Sequence, residues 1–490
     1  MKKFLIWLLA MLMLLSTLGA FAGCDEADDP NTNENETEEN NEGVEEYDFP
    51  DVERKDYSDD FNIYVAESNG GIKRWYMDDD LNTGSAMDEA VFQRQERVRK
   101  YLGVEFVRAT FSDNGYNTYW TGVQDAVMNM DGTVDAIVTH VHGGVSNLIS
   151  ENLITDLSEL EGVNLDAEYW HKDFMDTLEL NGNYFLGHSD YNILQTCLIG
   201  YNKEMLDQYG AGMTKSVYDM VRDYEWTLEE MMNLAKFVSI DATGNGKSLD
   251  DSFGLTGTTS VIMNGFLTSS NIPMVAQTES GAYEVALTKS EYYAKTDDLV
   301  QFFRELDDGS YTYLNHNMHD FVNQVHLSSG RVLMEMMNSD SLEGLLNYNI
   351  EFGVLPYPLY DRDQASVGYK SLQWGGYLAA LSYMKNPKLV GETLEMLAYY
   401  SENVKITHYE KVLGKRIADM PDDAEMLDLI WSVVATDVGQ TFYNLGGDES
   451  GVCYTIPHLI HNRDKNLTSY VKSKEKAINN GFAKFLAGID

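Results

Sequence analysis

Apolar and polar positions divide the chain into three unequal parts. An apolar run extends from Phe4 to Ala22, interrupted only by Ser16, Thr17 and Gly19. Residues 25–48 then carry twelve acidic side chains and no basic one. From Phe61 the pattern becomes that of an ordered body. Phe61–Ala66 alternates at first and then turns wholly apolar, as a strand entering a core does. Ala86–Tyr101 places Val91, Phe92, Val98 and Tyr101 on one helical face, and Gly103 stops it. Val104–Val107 reads as a strand, Tyr119–Met130 as a helix and Asp135–Val138 as a short buried strand. Strand, helix, strand, helix, strand predicts an α/β domain with a largely parallel sheet. Ligands bind such sheets beyond the carboxyl ends of the strands, here just after Ala66, Val107 and Val138.

A second region begins near Tyr184–Leu186. It holds an extended segment, Leu194–Tyr201, and a helix over Lys203–Tyr209. Trp226-Thr227-Leu228-Glu229-Glu230 opens another helix, with Thr227 as N-cap and two acids at the positive helix end. The remainder is mainly helical, through 297–306 and 392–400 to a last helix near 470–486. A folded part running from about Phe61 to Asp490 is too long for one ordinary core, so two domains are expected.

The two leading segments change the picture of location. Lys2 and Lys3 followed by the apolar run form an export signal, excluded from the fold. Phe21-Ala22-Gly23-Cys24 resembles the bacterial lipoprotein box, with Phe21 where Leu is usual. The resemblance implies cleavage before Cys24, its acylation, and anchoring on the outer face of the cytoplasmic membrane; an uncleaved anchor is the alternative. Residues 1–23 are thus expected to be signal and 24–60 the lipidated cysteine and an acidic spacer. The spacer has too little apolar surface to fold, and its like charges extend it. The net charge of −44 repels nucleic acid and anionic lipid and suits a neutral or cationic ligand. Contact with the membrane is expected only through the lipid. Cys197 and Cys453 could pair in an oxidising exterior or stay as buried thiols; their spacing leaves both readings open.

Five phrases of the body, taken in order, resemble the family 1 extracellular solute-binding proteins of ABC importers, the maltose-binding protein superfamily. They are Gly200–Gly210, Tyr224–Glu230 with Ala235-Lys236, Ser329–Met334, Gly353–Pro358, and Gly375–Ala380 with Asn386-Pro387. The last 90 residues match poorly. The resemblance implies a type II periplasmic-binding-protein-like α/β fold: two lobes, hinge crossings and a central ligand cleft that closes on the solute. It places the crossings near Asn183, Met337 and Ser401. The first lobe then comprises 61–183 with 338–400, and the second 184–337 with 401–490. In that family strand 353–358 returns to the first lobe. The implied activity is binding, not catalysis: a monomer captures a small solute, a carbohydrate above all, for ABC permease subunits. No cofactor is implied.

A sugar site needs aromatic platforms and planar polar groups. Trp374, Gly375 and Tyr377 supply a platform and close backbone approach; a core residue of a strand is the alternative reading of Trp374. His140 and His142 follow the strand 135–138; a His-x-His metal site is the rival reading there, and no third ligand is near in sequence. Tyr191 and Gln195 fall on the first crossing, where Tyr191 could stack on ligand or pack at the hinge. Gln195 stands where maltose-binding relatives carry a Glu. Glu67 and Asn69 follow the first strand, and Asp340 the second crossing. Asp241, Thr243 and Asn245 have the opening spacing of an EF-hand loop, with Ser252 where a bidentate acid is wanted; a structural calcium site and a polar turn are the alternatives. No His-Glu-x-x-His occurs. Gly187-His188-Ser189-Asp190-Tyr191 starts like a nucleophile elbow but has Tyr191 where Gly is required. A secreted carbohydrate-active enzyme or a glycan adhesin is the competing function.

Overall fold

The computed structural model describes residues 47–66, 72–78, 84–111, 118–140, 144–192, 196–210, 212–259, 263–315, 325–373, 376–408, 421–446 and 451–489. The first strands of the body are β1 (Asp59–Val65), β2 (Val104–Arg108) and β3 (Ala136–His140). They are followed by β4 (Cys197–Asn202), β5 (Ser239–Ile240), β6 (Ser252–Thr258), β7 (Val275–Gln277), β8 (Tyr283–Val285) and β9 (Thr312–Asn315). Then come β10 (Val332–Asn338), β11 (Phe352–Leu355), β12 (Ser371–Leu372), β13 (Gly376–Ala380) and β14 (Val434–Ala435).

The first sheet has the order β13-β3-β1-β2. β1 runs parallel to β2 and β3, and β13 antiparallel to β3 with Leu378 opposite Val138. The crossover helix Ala86–Leu102 forms for reasons visible in its ends. The Ser85 hydroxyl accepts from Asp88 N, Asp88 and Glu89 occupy the first turn, and Arg99 and Lys100 the last. Gly103 closes it at φ 60°, a conformation that favours glycine. Its Val91, Val98 and Leu102 are fully buried.

The second sheet has the order β11-β4-β10-β6-β5, with β9 also on β6. β6, β9 and β10 are parallel, and β4 is antiparallel to β10. Thr227 caps helix Leu228–Ala235 by accepting from Glu230 N, as its sequence predicts. The fold is mixed α/β with two lobes, one built on each sheet.

One strand differs from expectation. Gly353–Pro358 was expected to return to the first lobe; instead β11 pairs antiparallel with β4, Gly353 opposite Tyr201. A Cβ at Gly353 would meet the Tyr201 ring at 2.5 Å, so the glycine permits this pairing. Among the described residues after β11, the chain joins the first sheet at Gly376, where β13 pairs with β3. An apolar strand pattern reports burial, not partner, and both sheets offer buried positions. Helix Glu402–Thr407 likewise lies against helix Ala86–Leu102, beside the first sheet, beyond the crossing expected near Ser401.

Candidate functional site

Two segments joining the sheets meet each of them at the carboxyl edge of its parallel strands. β3 ends at His140, which pairs with Gly376, the first residue of β13. Three positions earlier Gln373 forms an antiparallel bridge to Thr196. Thr196 leads into Cys197, which pairs with Asn338 at the end of β10. The two carboxyl edges therefore approach each other around the Thr196–Gln373 bridge, which lies three positions from Gly376, and this is the edge at which α/β sheets bind ligands.

Side chains fasten the crossing. Asn192 Nδ2 donates to Gly376 O at 2.7 Å, and Gln373 Nε2 donates to Asn192 O. Ser339 N donates to Thr196 O at 2.8 Å, and Thr196 N returns a bond to Ser339 Oγ at 3.1 Å. Asn192, Thr196, Gln373 and Ser339 are all fully buried or nearly so; buried polar groups of this kind hold position because leaving one unpaired is costly.

On the first sheet's edge, Thr139 shares a hydrogen bond with the Tyr119 hydroxyl. The Tyr377 hydroxyl lies 3.0 Å from Thr441 Oγ1 and 3.4 Å from Thr436 Oγ1. Burial pushes its phenol above the usual tyrosine range. Ser146 Oγ donates to Asn444 Oδ1 at 2.6 Å. On the second sheet's edge, Thr259 N donates to Asn315 O at 2.8 Å, and Thr259 Oγ1 lies 2.6 Å from His461 Nε2. Asn264 Nδ2 donates to Gln440 Oε1 at 2.7 Å and to Cys453 O at 2.9 Å.

Of the residues expected in a cleft, His140 and Tyr377 lie at the first sheet's edge, both buried. Tyr191 is also buried, and its ring points away: it lies 4.2 Å from the Arg94 guanidinium carbon, and its hydroxyl donates to Trp75 O. Trp374, Gly375, His142, Gln195, Glu67, Asn69 and Cys24 lie outside the described residues, as does the side chain of Asp340. Sequence reading missed Thr259, Asn315, His461, Thr436 and Thr441. The polar run Thr256–Ser260, which begins within β6, was a signal for the first; the C-terminal ones have no local signal, because distant chain brings them to the edge.

The Asp241 loop is a turn held by its own backbone. The Asp241 carboxylate accepts from Thr243, Gly244 and Gly246 N–H groups, and Asp251 accepts from Ala242 and Ser248. Thr243 and Asn245 are exposed there. Among the described residues no cluster of three His, Cys, Asp or Glu could hold a metal ion. Cys197 and Cys453 are buried thiols, not joined in a disulfide. A separate cavity of about 620 Å³ lies at the far end of β4, lined by Tyr201, Lys203, Lys215, Tyr218, Glu351 and Asp422. Asp423, wholly buried, backs it and accepts from Lys203 Nζ and the Tyr218 hydroxyl.

No family model and no curated protein matches the chain. Solved structures do, and the class they define is that of the two-lobe solute-binding proteins. The ABC substrate-binding protein Lmo0181 from Listeria monocytogenes, in complex with cycloalternan, is similar at 13% identity and TM-score 0.56, covering 87% of this chain and 99% of that one. UgpB from Mycobacterium tuberculosis, in complex with glycerophosphocholine, is similar at 15% identity and TM-score 0.56, covering 86% and 98%. The maltose/maltodextrin-binding domain MalE from Bdellovibrio bacteriovorus, bound to maltotriose, is similar at 14% and TM-score 0.52, covering 86% and 99%. These neighbours are binding proteins rather than enzymes. At such identities the likeness shows the fold. Among the described residues no helix is long and apolar enough to cross a membrane.

Proposed function

We propose that this chain is a lipid-anchored solute-binding protein, a monomer held outside the cell by acylated Cys24, which captures a small carbohydrate between its lobes and delivers it to an ABC permease. The observation that carries this reading is the convergence of both carboxyl edges on the crossing at Thr196 and Gln373. A solute touching both edges stabilises the closed state by its differential affinity for it. A permease can then sense closure instead of the ligand itself. Trp374 is the proposed sugar platform, with His140, His142, Gln195, Glu67, Asn69 and Asp340 as polar contacts. The acidic spacer lifts the body from the membrane.

The test is a thermal-shift screen of the purified chain over mono- and oligosaccharides, amino sugars, polyamines and glycerophosphocholine. Binding to the native state raises the melting temperature. The expected best hit is a carbohydrate, and Trp374→Ala abolishes its shift while the unliganded melting temperature stays nearly unchanged. A large loss of unliganded stability makes Trp374 core and removes it from the site. Turnover of a glycan by the chain, lost on carboxylate substitution, overturns the binding reading altogether.

A further inference from the structure

The segment in front of β1 lies along the first lobe as a strap, and its two ends are held differently. At the β1 end the backbone does the holding: Lys55 N donates to Tyr101 O at 3.0 Å, Tyr57 N to Leu102 O at 2.9 Å and Ser58 N to Gly103 O at 2.9 Å. Lys55 and the Tyr57 hydroxyl both bond Glu392. The Tyr101 hydroxyl donates to Val52 O at 2.8 Å. A Cβ at Gly103 would stand 2.6 Å from Asp56 Cα, so the strap lies directly on the helix end.

The other end has no such ladder. Among the described residues, 47–51 make no backbone hydrogen bond to the rest of the body. Phe49, half exposed, leans on the rings of Tyr101 and Tyr399. Tyr47 is held by its side chain: its ring meets Tyr169 edge-on, and its hydroxyl donates to Asp190 Oδ2 at 3.0 Å. Asp190 is wholly buried and also takes Lys405 Nζ at 2.7 Å and His171 Nε2 at 3.0 Å. His171 in turn meets the buried His188.

Asp190 opens the 3-10 turn Asp190–Asn192, and the turn's third residue grips both Gly376 and Gln373 of the opposite crossing. A single turn thus separates the strap's end from the point where the two sheets are joined. We propose that Tyr47 is a latch: seated on Asp190 it immobilises the turn Ser189–Asn192 at the first crossing, and unseated it frees that turn to flex. Tyr47 is a positioning residue here, acting on the hinge through Asp190. Because its seat rests on side-chain contacts alone, it can detach while 52–58 stay bound. The inference rests on the two-lobe hinge but not on any ligand.

The experiment is amide hydrogen exchange on the full, unliganded chain, comparing Tyr47→Phe with Tyr101→Phe. The second variant removes the hydroxyl that holds the other end of the strap. The amides that report are Ser189, Tyr191 and Asn192, each hydrogen-bonded within that turn. A hydrogen bond to a buried charged group is strong enough that its loss should speed their opening about tenfold. That rise in Tyr47→Phe, with the same amides unchanged in Tyr101→Phe, supports the latch. Unchanged exchange in Tyr47→Phe, an equal rise in both variants, or a uniform rise over the whole first sheet overturns it. A failed ligand screen leaves this outcome untouched, so the two readings fall separately.

Discussion

Asp190 and Asp437 are both buried carboxylates beside chain that approaches the crossing, yet their environments drive them in opposite directions. Burial alone would raise Asp190, but His171 and Lys405 bring it well below the usual carboxylate range. Among the described residues no cation stands against Asp437. It caps helix Val438–Thr441 with Oδ1 accepting from Gly439 and Gln440 N–H groups, while Oδ2 accepts from Met274 N at 2.9 Å. Burial pushes it up to about 6, the three backbone donors notwithstanding. The lesson is about compensation. Backbone dipoles orient a buried carboxyl, but a full positive charge is needed to keep it ionised. Asp190 must be an anion to collect Tyr47, His171 and Lys405 at once; Asp437 can serve its cap in either form.

The sharpest way to break this contrast is to remove the anion. Asp190→Ala leaves Lys405 and His171 around an empty position and should cost about 3–5 kcal/mol, as breaking a buried pair does. Denaturant unfolding at neutral pH measures it. A loss near that of an ordinary surface change would mean the cluster is a passive contact and not a compensated charge.

Titration comes next in size, and its sign differs at the two sites. Asp437 has a folded value of about 6 against roughly 3.9 for an unfolded aspartate. Between those limits the folded chain keeps a proton that the unfolded chain releases, so this group's contribution falls as pH rises from about 4 to about 6. About two units correspond to roughly 3 kcal/mol. Asp437→Asn cannot titrate and loses one acceptor facing Met274 N. Its deficit against the parent chain should therefore shrink by about that much between pH 4 and pH 7. Asp190 behaves the other way: its stabilisation is full above the unfolded value and is lost as pH falls below about 4 through its depressed folded value. Melting curves of both variants over pH separate the two windows, and a deficit for Asp437→Asn that stays constant with pH would place its carboxyl in the ionised form throughout.

What the sequence could show follows the same division between local and distant. The β1, β2 and β3 strands, the Ala86–Leu102 helix with its Gly103 stop and the Thr227 cap were all legible, because their causes lie within a few neighbours. The partner of β11 was not, since Phe352–Leu355 carries the same apolar signal whichever sheet it joins. Of the Asp190 cluster, only the position of its segment on the first crossing was legible. Its partners Tyr47 and Lys405 stand 143 and 215 positions away, and no pattern of residue types pairs one lysine with one aspartate over such spans. The same applies to Tyr377 and Thr441, which meet at the first sheet's edge across 64 positions. The ends of the parallel strands could be read in advance; the chain that closes over them from the C-terminal region could not.

Asp241 supplies the control that the comparison needs, and the smallest effect. It accepts three backbone N–H bonds, as Asp437 does, but it stands exposed. There the Gly246, Gly244 and Thr243 donors lower its carboxyl instead of losing to burial. Backbone donors hold both carboxylates without a cationic partner, and as solvation changes the direction reverses. Asp241→Asn should therefore leave the global unfolding midpoint almost where it is, because water replaces whatever the loop loses. The change should appear locally, as faster exchange at the Gly244 and Gly246 amides. If the substitution instead lowered the midpoint as far as Asp437→Asn does, three backbone donors would be deciding the energetics at both positions, and burial would not be the variable that separates them.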